Sequence, residues 1–281
     1  MRNALRFLVP KNTWGDRMFA MYTFLRAHRR FPTDQKLFND VLYRLKSSGA
    51  LEDPLRVFVT DKEHVKLYVK AVIGDEFNVP TLAVLRNVDE IHQFRFPGDC
   101  CIKATHGSGM VILRTKGSPV NTSDLERWMK FSYYNFTRES NYKTLTPKII
   151  VEPLIFGNSS PEDYKIFCYR GKAKLIQVDM NRYSGHRRLF FDRHWNVQNF
   201  TMMYPKPKHT MPRPGNLDLM IDIAERLSSP FDFIRIDLYS DGQRCFVGEI
   251  TNCHKNATGK FMPPSAEHVA SRILFGEAEP S

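Results

Sequence analysis

The chain has 281 residues, 42% of them hydrophobic and 12% aromatic, enough for a sizeable core in one to three domains. A net charge of +11 favours anionic partners without choosing among nucleotides, acidic saccharides, anionic lipid and nucleic acid. No apolar run reaches the roughly 18 residues of a membrane span, no small-residue cleavage site follows the first residues, and five cysteines do not suggest a disulfide framework, so reduced thiols and a cytoplasmic location are expected.

The charge is uneven along the chain. Residues 1–72 carry 14 Lys/Arg against 7 Asp/Glu, residues 164–213 carry 11 against 2, and residues 214–281 carry 6 against 10. Thr13 is placed to cap a helix running to about Arg30, with Trp14, Met18, Tyr22 and Leu25 at helical spacing and Arg17, Arg26, Arg29 and Arg30 around them. That spacing predicts an ordinary packed helix; a basic amphipathic helix on a membrane surface would share it. A second helix, capped by Thr33, buries Leu37, Phe38, Val41, Leu42 and Leu45 and stops at Gly49. Thr60-Asp61-Lys62-Glu63 has the capping-box pattern, and the helix after it carries Val65, Tyr68, Val69 and Val72.

Strands are predicted at 78–85, 99–104 and after Met110, with a helix over 121–135. Between two of those strands lies His106-Gly107-Ser108-Gly109. Lys103 at a strand end can reach phosphate oxygens, and Gly107 and Gly109 let backbone N–H groups approach them. The loop is neither a Walker A nor a Rossmann fingerprint, and an ordinary hairpin turn would look alike in isolation. The strand around 147–155 leaves the core in a way that presents backbone groups of Glu152 and Leu154 to an adenine edge. A hairpin over 163–179 turns at Gly171 and places Asp163 and Lys165 on one face. Arg182, His186, Arg187 and Arg188 then form a dense cationic loop suited to an anion. Helices are expected from Asn216 to Leu227 and near 265–274.

The hairpin Phe233–Asn252 carries Arg235 and Asp237 on one strand, and Glu249, followed by Thr251 and Asn252, on the other. An Asp and a Glu on neighbouring strands beside an Arg suit magnesium and a phosphate. Side chains alternate along a strand, so a plain two-residue turn at Asp241-Gly242 would place Asp237 and Glu249 on opposite faces. An odd loop or a bulge is required. A loop over 240–244 would set Arg235 against Glu249 and Asp237 against Val247, and Gly242 permits it.

The segments TDKEHVKLYV, CIKATHGSG, KIIVEPLI, DYKIFCYRGKAKLIQVDMNRYSGHRR and FIRIDLYSDGQRCFVGEIT span residues 60–252. Together they resemble the ATP-grasp superfamily and, within it, the TupA-like branch named for teichuronopeptide synthesis. The resemblance implies an α+β fold, with two lobes clamping ATP after a short helical N-terminal region. The expected division is 1–59, 60–146 with the glycine lid, and 147–281 with the metal hairpin. It implies that Lys62 and Lys103 touch phosphates, that Gly107, Ser108 and Gly109 form the lid, and that Glu152 and Leu154 line the adenine pocket. Asp163 would meet the ribose, with Lys165 beside it at the nucleotide. Asp237, Glu249 and Asn252 would bind Mg²⁺, and Arg235, Arg182 and Arg187 would hold the transferred phosphoryl group or an acidic substrate. The superfamily often closes its metal motif as Glu-x-Asn; here Thr251 stands at that third position and Asn252 one later.

The implied activity is an ATP-dependent carboxylate–amine ligase of cell-surface polysaccharide synthesis. It would join an amine to an acidic saccharide or other carboxylate, without nucleic acid and with peripheral contact to membrane-bound polysaccharide machinery. A kinase on the same fold would leave a stable phosphorylated product. A metal-dependent glycosyltransferase would prefer a nucleotide sugar to ATP. A non-catalytic nucleic-acid or membrane binder would be indifferent to Asp237→Asn.

Overall fold

The computed structural model describes residues 9–157, 162–181 and 185–276. In chain order its elements begin with helices α1 (Thr13–His28), α2 (Phe38–Ser47), α3 (Pro54–Thr60) and α4 (His64–Val72). Strand β1 (Ala83–Leu85), helix α5 (Val88–Gln93), strands β2 (Cys100–Ala104) and β3 (Val111–Arg114), helices α6 (Thr122–Lys130) and α7 (Tyr133–Thr137) and strand β4 (Ile149–Glu152) follow. The rest comprises β5 (Glu162–Tyr169), β6 (Lys172–Met180), β7 (Arg187–Asp192), β8 (Thr201–Met202), α8 (Leu217–Ser228), β9 (Phe233–Ser240), β10 (Cys245–Thr251), β11 (Phe261–Met262) and α9 (Ala266–Phe275).

Two antiparallel sheets organise these elements, in the orders β1-β4-β2-β3 and β10-β9-β5-β6-β7. The architecture is α+β, as expected. The division of the chain differs from the expected one at two points. β4 pairs with β1 and β2, Cys101 lying opposite Glu152, so Ile149–Glu152 belongs to the first sheet rather than to a lobe beginning at 147. Helix α4 precedes that sheet in sequence, yet Val65, Val69 and Ile73 bury against Ile166, Ile176 and Ile236 of the second.

Local chemistry fixes the helix starts. Pro54 opens α3, whose first N–H groups bond to the Asp53 side chain. Asp61, rather than Thr60, caps the next helix, accepting from the amides of Glu63 and His64. The Thr60 hydroxyl donates back to Arg56 O at 2.6 Å. Asn12, one residue before the expected Thr13, caps α1. The face of α1 is also reversed. Phe19, Ala20 and Phe24 are buried, while Trp14, Met18 and Tyr22, the row expected inside, are exposed.

One face of the five-stranded sheet packs on α4 and α8 around a wholly apolar core. The other face is divided. Phe167, Leu175, Phe190 and Phe233 lie under α2 and α9. Helix α2, within the expected N-terminal region, is therefore a layer on this sheet. The remaining positions on that face carry the polar side chains described next. Among the described residues no helix is long and apolar enough to cross a membrane.

Candidate active site between the two sheets

A cavity of about 270 Å³ separates the two sheets. Its apolar part is formed by Val79, Cys101, Met110, Leu113, Leu154 and Ile155, a lining suited to a flat heterocycle. Its polar part brings together the side chains of Lys62, Lys103, Glu152, Asp163, Lys165, Asp237 and Glu249, with Gly107, Ser108 and Gly109 at the rim. Gly109 has φ +80, a conformation that side-chain-bearing residues rarely adopt, and this turns the rim loop between β2 and β3.

Strand register places the carboxylates. Cys245 pairs with Ser240, so residues 241–244 form a four-residue loop, an even number that would put Asp237 and Glu249 on opposite faces. A bulge between Val247 and Glu249 restores the parity, and Glu249 lies directly across from Asp237, with Thr251 across from Arg235. The bulge sits at Gly248, not around Gly242. A Cβ at Gly248 would stand 2.7 Å from the Tyr239 ring, so glycine is what lets the strand pass.

Four strands contribute to one continuous polar rung. Glu249, Asp237, Lys165 and Gln177 lie side by side on β10, β9, β5 and β6. Lys165 Nζ donates to Asp163 and Asp237, each at 2.6 Å. Arg235 donates to both oxygens of Asp237, at 2.5 and 2.6 Å, to Glu249 at 3.2 Å and to the Thr251 hydroxyl at 2.9 Å. Burial opposes the charge on Glu249, but Lys62, Arg235 and Lys165 outweigh it and hold its carboxyl well below the usual range. Across the cavity, Glu152 is a charged bridge rather than only a backbone edge. It accepts from Lys66 at 2.5 Å and Lys103 at 2.7 Å. Burial works against the charge on Lys103, yet Glu152 keeps its pKa well above the ordinary value. Lys62 Nζ reaches the carbonyl of Gly107 at 2.5 Å, and burial together with nearby Lys103 lowers its pKa. A desolvated, partly uncompensated lysine such as Lys62 favours an incoming polyanion.

Three expected assignments move. Asn252 is not on the cavity wall. Its amide donates to Arg56 O and Thr60 Oγ1, and its oxygen accepts from Arg56 at 2.9 Å, so it ties the hairpin to α3. Thr251 takes its place beside Glu249, donating to Oε1 at 3.1 Å. Arg235 stands behind the carboxylates and orients them, since its guanidinium is taken up by Asp237, Glu249, Thr251 and His254 Nδ1. Arg187 is exposed on β7, and strand alternation directs it away from the rung; Arg188 is buried and pairs with Asp179 at 2.6 Å. Arg182 lies outside the described residues.

The sequence reading did not single out Lys66, Gln177, Asp179 or Tyr239. Gln177 and Asp179 had a signal, because they alternate on β6 opposite Lys165 and Asp163. Beyond Asp179 lies a cationic end. Tyr204 stacks on His186 at 3.7 Å, with the Arg188 guanidinium 4.9 Å and Lys255 Nζ 6.0 Å from its ring. Lys255, Asn256 and Ala257 all have positive φ, a strained run held by bonds from His28 to Ala257 O and from Lys46 to Asn256.

The donor set around Glu249 consists of carboxylate and hydroxyl oxygens, which suits a hard divalent cation such as magnesium. A separate group, Asp61, Glu63 and His64, gathers away from this cavity, but Lys148 Nζ sits among them, 2.5 Å from Glu63 and 3.2 Å from Asp61.

A family model described as TupA-like ATPgrasp matches residues 41–271, most of the chain. The chain belongs to the TupA-like ATP-grasp family. Solved structures similar to this TupA-like chain include D-alanine–D-alanine ligase from Helicobacter pylori, at 14% identity and TM-score 0.40 over 79% of this chain and 61% of that one. The D-alanine–D-alanine ligase from Bacillus anthracis complexed with ATP is 14% identical, with TM-score 0.41, over 81% and 69%. The ATP-grasp ligase PsnB complexed with minimal precursor is 13% identical, with TM-score 0.40, over 76% and 60%. The chain thus spans about three fifths of the length of the Helicobacter pylori ligase and of PsnB. No curated protein matches it.

Proposed function

We propose that this TupA-like protein is an ATP-dependent carboxylate–amine ligase of cell-surface polysaccharide synthesis, joining an amine to an acidic sugar or peptide-like acceptor. The observation that carries the reading is the cavity itself. It opposes Lys62, Lys103 and a glycine loop to a directly paired Asp237 and Glu249, with an apolar slot alongside. ATP with magnesium supplies the phosphoryl group that turns an inert carboxylate into an acyl phosphate with a good leaving group.

The residues of the chain do the positioning. Lys62, Lys103 and the amides of Gly107–Gly109 hold the phosphates, Asp163 and Lys165 the ribose end, and Leu154 with the Glu152 backbone the base. Asp237, Glu249 and Thr251 Oγ1 would hold magnesium, kept in place by Arg235. The acidic substrate enters at the cationic end, where Lys255 is exposed and Arg188 stands behind it. No side-chain nucleophile is needed. Cys101, on the cavity wall, has its thiol pushed up to about 11 by burial and stays protonated.

The test is ADP release from ATP and magnesium in the presence of acidic saccharides and amino compounds, with the product mass determined. Release that requires both a carboxylate and an amine, with an amide product, is expected. Turnover that no such pair stimulates would refute the reading, and a stable phosphorylated product would make the enzyme a kinase.

A further inference from the structure

Helix α1 has two apolar faces. Phe19, Ala20 and Phe24 are packed against the body of the protein. Trp14 is 62%, Met18 46% and Tyr22 39% exposed. These three follow one another at four-residue spacing, so they form a strip about 80° wide on a helix that turns about 100° per residue. Leu25 and Met21 lie within or beside that strip and are partly buried. Arg17 projects about 60° from Trp14 on one side, and Arg26 about 40° beyond Tyr22 on the other. Arg17, Arg26 and Arg29 are all exposed, as is Phe31, at 70%, just past the end of the helix.

The charge around this strip is predominantly positive. Residues 9–36 carry six Lys/Arg and two Asp/Glu. One of the two acids, Asp16, is buried and paired with Arg138 at 2.9 Å, so it does not offset the outer field. Packing among the described residues does not account for a Trp, a Met and a Tyr in one outward row. A water-facing helix would lose nothing by replacing them with polar residues, and large apolar side chains left in contiguous exposure mark a surface that meets something apolar. Tryptophan and tyrosine suit the headgroup boundary of a bilayer, and flanking arginines suit its anionic surface. The helix has 16 residues, a length that lies along an interface rather than across a bilayer.

We propose that the outer face of α1 docks the protein on an anionic lipid bilayer, with Trp14, Met18 and Tyr22 entering the headgroup boundary and Arg17, Arg26 and Arg29 contacting anionic headgroups. The proposal does not depend on the reaction catalysed. Its fixed geometry distinguishes it from general attraction of a +11 chain to negative surfaces, because only one face of one helix is required.

The experiment is co-sedimentation of the full chain with vesicles of phosphatidylcholine alone and of phosphatidylcholine with phosphatidylglycerol. Binding to the anionic vesicles and not to the neutral ones is expected. A triple variant Trp14→Ser, Met18→Ser, Tyr22→Ser and a double variant Arg17→Glu, Arg26→Glu should each weaken that binding on the order of tenfold or more. All five positions are exposed, so the triple variant should keep the thermal unfolding temperature of the wild type, while the double variant, which loses the bond from Arg17 Nε to Ser47 O at 2.8 Å, should unfold at a somewhat lower temperature and is assayed well below it. No binding by the wild type, or binding that the triple variant retains in full, overturns the proposal. Capture only by native membranes stripped by protease treatment, and not by pure lipid vesicles, also overturns it and assigns the face to a membrane protein.

Discussion

Glu249 lies directly across from Asp237 because Gly248, not the loop at Gly242, shifts the register by one residue. The pairing is what the proposed magnesium site requires, and it hangs on a glycine that faces the Tyr239 ring. Gly248→Ala puts a methyl group 2.7 Å from that ring. Tyr239 lines the cavity and stacks above Lys103 at 5.8 Å, so the strand has to give way. We expect destabilisation of about 1–3 kcal/mol and a larger proportional loss of magnesium-dependent nucleotide binding. Thermal shift with and without a non-hydrolysable ATP analogue and magnesium checks both. A variant that binds the analogue as the wild type does would show that the bulge is not what sets the site.

The two carboxylates should respond differently to neutralisation. Asp237 is buried between Arg235 and Lys165, so Asp237→Asn leaves two cations short of a partner and should cost about 3–5 kcal/mol of stability. The Glu249 side chain is 33% exposed, towards the cavity, and shares Arg235 at the longer distance of 3.2 Å. Glu249→Gln removes a charge that Lys62, Arg235 and Lys165 favour, so it should lower stability by a smaller amount, about 1–2 kcal/mol, while weakening magnesium-dependent ATP turnover at least about a hundredfold. Urea unfolding and ADP release separate the two effects. Equal destabilisation by both substitutions would contradict the placement.

Lys255 offers a test of the substrate end. Its side chain reaches solvent, yet partial desolvation by the surrounding protein and the neighbouring cations Arg188 and Arg235 lower its pKa. A lysine holds a carboxylate only when protonated, so KM for the acidic substrate should rise with pH, beginning below the usual lysine range. Lys255→Ala should raise that KM about tenfold or more and leave KM for ATP unchanged. A change in the ATP constant instead would move Lys255 to the nucleotide.

How much of this was legible depended on range. Alternation along β9 and β10 demanded a parity change between Asp237 and Glu249, and one exists. Two glycines, Gly242 and Gly248, each permit it, and only the contact of Gly248 with Tyr239 separates them. Arg187 and Arg188 differ by a single step of strand register, fixed by pairing of β7 with β6, which no local pattern reveals. The bridge of Glu152 to Lys66 joins residues far apart in sequence. Helix α1 misled for a further reason. Phe19, Ala20 and Phe24 are as apolar as Trp14, Met18 and Tyr22, so spacing identified a helix but could not say which stripe faced the core.

A last prediction concerns the support beneath the strained turn at 255–257. Lys46, which bonds to Asn256 and to Thr137 O, is buried near Glu139. Burial pushes the Glu139 carboxyl up to about 7, with Lys46 only partly opposing. In the unfolded chain the group ionises near 4.5. Between those values the folded state holds a proton that the unfolded state has released, so stability attributable to Glu139 falls as pH rises from about 4.5 to 7 and is level above. His254 acts in the opposite sense. Burial and Arg235 keep it neutral when folded, so its contribution improves as pH rises towards 6.5. The wild-type curve mixes the two, and the difference between Glu139→Gln and wild type isolates the first. That difference should grow in favour of the variant from pH 5 to pH 7 and reach roughly 1–3 kcal/mol, the lost attraction to Lys46 offsetting part of the gain. Urea unfolding at half-unit steps from pH 5 to pH 8 measures it. Parallel curves across that window would mean that Glu139 is already ionised in the folded protein.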